Sequence, residues 1–192
     1  MEKIEELYSS ELKDLLIKNE KIIDILKMLK TFAPQAYLAA GVIRNTVWAH
    51  LHDQSFSLDQ TEIDVIFYDA NETNAELSNA IVRQLMQYYP DHIWDVTNQA
   101  TVHQWYKNDN GDGIEPLSSI NHALSLWPET ATAVAIRLLE NNDLDMIAPF
   151  GLDDLFELKL RWNDALVSRG VFANRVASKQ FLKKWPKLKW VE

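Results

Sequence analysis

Thr61-Glu62-Ile63-Asp64-Val65-Ile66-Phe67-Tyr68-Asp69 puts two carboxylates one residue apart inside a segment that is otherwise β-branched and aromatic. Strands are built from Ile, Val, Phe and Tyr and normally exclude acids. Alternation along a strand sets Glu62 and Asp64 on one face, about 6–7 Å apart at the backbone, and turns Ile63, Val65 and Phe67 to the other. Two carboxylates on a mostly buried strand repel each other and lose hydration. A bound divalent cation relieves both costs, whereas an exposed edge strand would avoid them by solvation. The apolar flanks favour the cation.

Upstream, Ala36-Tyr37-Leu38-Ala39-Ala40 reads as a short strand running into Gly41, followed by a helix over residues 43–51. Residues 3–31 are predicted helical, with Ile4, Leu7, Leu12, Leu15, Leu16, Ile22, Ile25, Leu26 and Leu29 at near-3.6 spacing. Downstream, residues 74–89 form a crossover helix stopped at Pro90, and His92-Ile93-Trp94-Asp95-Val96-Thr97 the next strand. A helical turn over 100–107, a loop from Asn108 to Gly113 and a helix over 117–126 follow. Residues 130–139 and 144–148 then read as a hairpin across Asn141-Asn142-Asp143, and helices over 151–160 and 172–184 close the chain. Strands and helices interleave, so the expected class is α/β or α+β, a small mixed sheet flanked by helices.

A chain of 192 residues with 47% hydrophobic content can bury a core of its own and is not disordered. No apolar run approaches a membrane span, and Met-Glu-Lys-Ile-Glu-Glu lacks the parts of a signal peptide. Zero cysteines exclude a disulfide framework, a thiolate metal site and a cysteine nucleophile, and suit a cytoplasmic protein. The net charge of −9 argues against a long nucleic-acid partner. It is unevenly spread. From Arg161 to the end there are eight Lys or Arg against two acids, a surplus of six, which leaves −15 on the first 160 residues. The basic end either holds ligand phosphates beside an acidic metal site or simply docks on the acidic body.

Leu38-Ala39-Ala40-Gly41-Val42-Ile43-Arg44-Asn45, followed some twenty residues later by Glu62-x-Asp64, resembles the polymerase-β-like nucleotidyltransferase superfamily. A bacterial family of nucleotidyltransferase proteins within it is similar further along. That likeness runs through Trp94-Asp95-Val96-Thr97-Asn98-Gln99-Ala100, His103-x-Trp105-Tyr106, Trp127-Pro128-Glu129-Thr130-Ala131-Thr132 and Ala148-Pro149-Phe150-Gly151-Leu152-Asp153-Asp154. It extends from about Thr31 to Pro186. Two departures stand out. In the turn, Ala40 replaces the first glycine of the superfamily and, if the register slips by one, Val42 replaces the small residue after the second, where its bulk would narrow the approach to a triphosphate; on the strand, Glu62 replaces the usual aspartate.

The resemblance implies a single nucleotidyltransferase-like domain over residues 1–192. Residues 1–30 would be an N-terminal helical extension and residues 161–192 a basic C-terminal helical segment. It implies metal-dependent transfer of a nucleoside monophosphate from an NTP to an acceptor, with release of pyrophosphate. Glu62 and Asp64 would hold Mg²⁺ or Mn²⁺, with Asp95 as the third carboxylate if its strand lies beside theirs at about 4.8 Å. Asp69 competes for that place, but its odd offset from Asp64 points it to the opposite face. Gly41 would open the helix toward phosphates, with Arg44, Asn45, Arg175 and Lys179 beside them. Arg175, Lys179 and Lys183 form one stripe at i, i+4 and i+8.

Asn98, Gln99, His103 and Thr130 are possible cleft or acceptor residues, although Asn98 also fits a turn cap, His103 an aromatic core, and Thr130 strand packing. The expected partners are an NTP and a small-molecule or protein acceptor, with no membrane. The alternative is a catalytically inactive relative that binds a nucleotide or partner protein in the same cleft, and a further one is a scaffolding or antitoxin-like protein. The dipeptide His52-Asp53 could suggest a metal phosphohydrolase, but His50 and His52 point to different sides of a helix, and the strand-rich pattern differs from that all-helical fold.

Overall fold

The computed structural model describes residues 2–191. Where one N-terminal helix is expected, two form: α1 (Glu2–Ile17) and α2 (Glu20–Phe32). The polar run Lys18-Asn19-Glu20 interrupts the apolar stripe, and Asn19 caps α2 by accepting the Ile22 N–H at 3.3 Å. Ile22, Ile25, Leu26 and Leu29 of α2 are buried against the sheet, each contributing roughly 1.5–3 kcal/mol of hydrophobic stabilisation.

The chain continues through β1 (Tyr37–Ala39), α3 (Gly41–Leu51), β2 (Ile63–Phe67), α4 (Glu76–Tyr88), β3 (Trp94–Asn98) and α5 (Ile120–Ser125). Then come β4 (Ala135–Leu138), β5 (Leu144–Ile147), α6 (Asp153–Phe156), β6 (Lys159–Arg161), α7 (Arg169–Ser178), α8 (Phe181–Lys184) and β7 (Lys189–Val191). Five strands make a mixed sheet in the order β3-β2-β1-β4-β5, with β2 and β3 parallel and the remaining pairs antiparallel. The expected small mixed sheet flanked by helices is what forms. Ile63, Val65 and Phe67 are fully buried on one face together with Leu38 and Ile136, where α2 and α4 pack. The other face carries Ala39, Ile66 and Ala135 under Ile120 and Leu124 of α5.

Three expected elements change at the C-terminal half. Residues Thr130–Thr132 form a 3-10 turn and the hairpin strand begins only at Ala135, so Thr130 and Thr132 do not alternate on a strand. The helix expected over 151–160 is a single turn. Leu158 adopts φ +57, and Lys159–Arg161 leaves as a strand that pairs in parallel with β7. The last helix breaks at Gln180, which is left-handed (φ 55, ψ 37), so Lys183 belongs to a different helix from Arg175 and the three-residue basic stripe is not continuous.

The basic end docks through aromatic packing. Trp48 of α3 is fully buried edge-on to Phe181 and Trp185, and its indole N–H donates to the Leu155 carbonyl at 3.2 Å. His52 contacts the Trp48 carbonyl through Nδ1 (2.7 Å) and accepts the Lys187 N–H at Nε2 (3.0 Å), so the proton sits on Nδ1. Both ring nitrogens are thereby used in tying α3 to the C-terminal segment, and His52 is no metal ligand. Among the described residues, no helix is long and apolar enough to cross a membrane.

Candidate active site

The acidic strand enters the sheet between β1 and β3. Asp64 pairs in register with Ala39 on one side and Asp95 on the other, so the two aspartates stand side by side on neighbouring strands. Glu62, two residues earlier on the same face, reaches the same point. One carboxylate oxygen from each of Glu62, Asp64 and Asp95 lies within 4.8 Å of the others. Asp69 lies beyond the end of β2, where its Oδ1 accepts the Asn71 N–H at 2.8 Å.

Asp64 is the most buried of the three acids, and its protonation is pushed up to about 6. Burial is the largest cause, followed by the charges of Asp95 and Glu62. A hydrogen bond from the Gly41 N–H and the charge of Arg44 act in the opposite direction. Asp95 is held from the other side by the Thr97 hydroxyl, which donates to its Oδ1 at 2.7 Å. A divalent cation with a preference for hard oxygens fits this donor set, because it would cancel the repulsion that raises Asp64.

The turn from β1 into α3 forms one wall. Ala40 adopts φ 55, ψ −119, a backbone conformation that glycine takes without penalty, while its N–H donates to the Val134 carbonyl at 3.1 Å. A Cβ on Gly41 would lie 3.5 Å from Thr61 Oγ1 and 3.8 Å from Asp64 Oδ2, filling the space in front of the acids. Val42, by contrast, is fully buried in the core and does not narrow the approach.

Arg44 is only 7% exposed. Its Nη1 donates to Thr132 Oγ1 at 3.1 Å, its Nε and Nη2 donate to Asn45 Oδ1, and its plane lies 4.6 Å from the Phe181 ring centre. Burial pulls its protonation down to about 10, with Glu129 opposing. It is therefore a fixed cation of the cleft, not a surface ion pair.

These groups line a cavity of about 320 Å³ that also takes in Thr61, Trp127, Pro128, Arg175 and Lys179. An adjoining cavity of about 450 Å³ shares Arg44, Thr61, Glu62 and Lys179 and extends over Asn45, Phe56, Phe181 and Trp185. Carboxylates thus floor the cleft and cations stand around it. Glu129, quoted in the Trp127-Pro128-Glu129 motif but not expected in the site, is fully buried on the cavity wall. Its Oε1 accepts from Arg175 Nε at 2.5 Å, whereas among the described residues its Oε2 has no hydrogen-bond partner. An acid followed by threonine in a loop carries no periodic signal that would have announced it. Asn163 pins this wall, with its Nδ2 donating to the carbonyls of Ser125 and Trp127, each at 2.8 Å.

The remaining expected residues fall elsewhere. Asn98 spends its whole amide on structure, accepting the N–H groups of Asp69 and Ala100 and donating to the Asp69 carbonyl and Glu72. Thr130 donates to Asp154 Oδ2 at 2.7 Å, a carboxylate also held by Arg161, and it is Thr132 that lines the cleft. His103 lies outside the lining of the acidic cavity, with a buried Nδ1 that has no hydrogen-bond partner among the described residues. Gln99 lines a separate pocket beyond Trp127.

A mixed sheet carrying an acid-x-acid strand, a third acid on the parallel neighbour and a glycine-opened helix defines a polymerase-β-like nucleotidyltransferase domain. The profile of a family described as Nucleotidyltransferase matches residues 28–190, and the chain belongs to that family. A solved structure described as a CCA-adding enzyme head domain is 26% identical, with 95% of each chain covered and a TM-score of 0.79. The Thermotoga maritima CCA-adding enzyme complexed with tRNA is 16% identical (TM-score 0.60), and a CCA-adding enzyme complexed with ATP is 17% identical (TM-score 0.59). These two share the fold. The chain is matched over 94% and 93% of its length but spans only 42% of each of them. No curated protein matches the sequence.

Proposed function

We propose that the protein transfers a nucleoside monophosphate from an NTP to a hydroxyl-bearing acceptor and releases pyrophosphate. The observation that carries this reading is the convergence of Glu62, Asp64 and Asp95 within 4.8 Å on the floor of a cavity ringed by Arg44, Arg175 and Lys179. Such a distribution suits a cation–polyphosphate complex better than any neutral ligand.

In this reading Glu62, Asp64 and Asp95 hold divalent metal, Mg²⁺ or Mn²⁺, which when bound neutralises phosphoryl oxygens and orients the attacking and leaving oxygens. Gly41 leaves room for the triphosphate to approach the first amides of α3. Arg44, beside Gly41 on the same turn of α3, counters its charge together with Arg175 and Lys179. Glu129 orients Arg175 by binding its Nε, and Thr132 and Asn45 orient Arg44. The adjoining cavity, with Asn45, Phe56, Phe181 and Trp185, offers aromatic surface for the nucleoside. Asp95, on the edge strand of the sheet, faces the acceptor side. Catalysis then consists of positioning and fixed charge, with no covalent enzyme intermediate required.

The structural relatives include enzymes solved with ATP and with tRNA. The acidic body of this chain favours a small-molecule or protein acceptor over a long nucleic acid. A non-catalytic relative is not favoured, since Glu62 reaches the same oxygen cluster that an aspartate would and Val42 is withdrawn into the core.

Calorimetric titration of Mg·ATP and Mg·GTP into wild-type protein and Asp64→Asn tests the reading. Metal-dependent binding that falls at least about tenfold in the variant is expected. No nucleotide binding to folded wild-type protein would overturn it.

A further inference from the structure

A third cavity, of about 210 Å³, lies beyond the acidic cleft and shares Trp127 and Pro128 with it. Its walls include Thr97, Val102, Trp105 and Tyr106, and among the described residues no charged side chain lines it. Thr97 links the two spaces. It is part of this apolar wall, and its hydroxyl donates to Asp95, the carboxylate on the edge strand. Trp105 is 61% exposed and stands at a steep angle (64°) to the Tyr106 ring, 6.3 Å away. So large an indole surface left in water beside an apolar cavity is the kind of surface that a stacking ring covers.

We propose that this cavity is the acceptor site and that the acceptor is a small, uncharged molecule bearing a planar ring and a hydroxyl group. The identity of the reaction rests on the nucleotidyltransferase reading of the acidic cleft. The chemistry of the ligand rests on the cavity. Its volume takes a ring system and little more. A phosphorylated or zwitterionic body would lose hydration there with no counter-charge to replace it. A ring seated between Trp105 and Trp127 places a hydroxyl carried on its inner side next to Thr97 and Asp95.

The hydroxyl oxygen then forms a bond to the α-phosphorus of the NTP. The bridging α–β P–O bond breaks, its electron pair leaves with pyrophosphate, and the hydroxyl proton departs to solvent. The products are the nucleoside monophosphate ester of the acceptor and pyrophosphate.

Chemical-shift titration with 2-phenylethanol, and with glycerol as a ringless alcohol, tests the site in wild-type protein, Val102→Trp, which fills the cavity, and Trp105→Ala, which removes its exposed wall. Wild type should bind 2-phenylethanol with Kd on the order of 1 mM and glycerol at least about tenfold more weakly. Each variant should weaken 2-phenylethanol by about tenfold while binding Mg·ATP as wild type does.

A ring probe that binds no better than glycerol, or that neither variant weakens, overturns the acceptor site, and intact Mg·ATP binding would leave the nucleotidyltransferase reading standing. Ring binding that both variants weaken, in a wild-type protein that binds no Mg·ATP, supports the ring site and overturns the reading of the acidic cleft. Transfer from α-labelled ATP to a short RNA but to no ring-bearing alcohol, blocked by Val102→Trp, would overturn the small-molecule assignment in favour of a terminal nucleoside.

Discussion

Between Ala39 on one strand and Asp95 on the next, the Asp64 carboxylate meets burial and two like charges at once, and its protonation rises from 3.8 to about 6. The sign of the consequence follows by linkage. Below pH 3.8 the group is protonated in both folded and unfolded chains and costs nothing. Between 3.8 and 6 the folded chain binds more protons, so stability falls as pH rises. Above pH 6 the penalty is constant, on the order of 3 kcal/mol. Asp64→Asn should therefore be more stable than wild type by about that amount at pH 8, with the advantage gone near pH 4. Urea melts at the two pH values measure this, and a variant less stable than wild type at pH 8 would refute it. Nearby, Arg44 loses basicity to burial, and Arg175 is held in place by Glu129, whose buried Oε2 has no hydrogen-bond partner among the described residues.

The strand–turn–helix unit from β1 into α3 works around a residue that does not suit it. Ala40 occupies a positive-φ position, and a non-glycine residue there costs about 1–3 kcal/mol. Ala40→Gly should raise the melting temperature by roughly 2–4 °C for each kcal/mol relieved, measured by circular dichroism, with the fold unchanged. A lower melting temperature would show that the methyl group contributes packing worth more than the strain. Other element boundaries turned on similar local events. Asn19 split the N-terminal helix by capping, and left-handed Gln180 split the last one, which leaves Lys179 at the cleft while Lys183 belongs to α8. Neither Asn19 nor Gln180 is a glycine or proline, so neither is a strong breaker in sequence.

Over the whole molecule, negative charge is concentrated in the sheet half and positive charge in the C-terminal segment, and the cleft lies where they meet. Mg²⁺ or Mn²⁺ should raise the melting temperature, because an ion bound only by the folded chain stabilises it, by about 2.7 kcal/mol at a hundredfold excess over Kd. At pH 6 its binding should also release about half a proton, since Asp64 must ionise to ligate. Calorimetry in buffers of different ionisation enthalpy reads this release. It should vanish at pH 8 and in Asp64→Asn, and an equal release at both pH values would point to another ligand.

Much of this was legible along the chain. Period-2 alternation in Glu62-Ile63-Asp64-Val65 determined which side chains entered the core and which were left facing a cleft, because the two faces of a strand admit no intermediate. The strand–glycine–helix order around Gly41 and the crossover through α4 likewise follow from local pattern. What only the tertiary structure decided depends on distance between segments far apart in sequence. Asp95 comes beside Asp64 through strand pairing, and Glu129 is brought to Arg175 from 46 residues away. Thr132 rather than Thr130 faces the cleft because a 3-10 turn replaces a strand. Asn98 is withdrawn from it by four hydrogen bonds to a loop and a cap. A sequence records the donors and acceptors that each residue owns, but which of them are consumed internally, and which remain facing a ligand, is settled only when the elements pack.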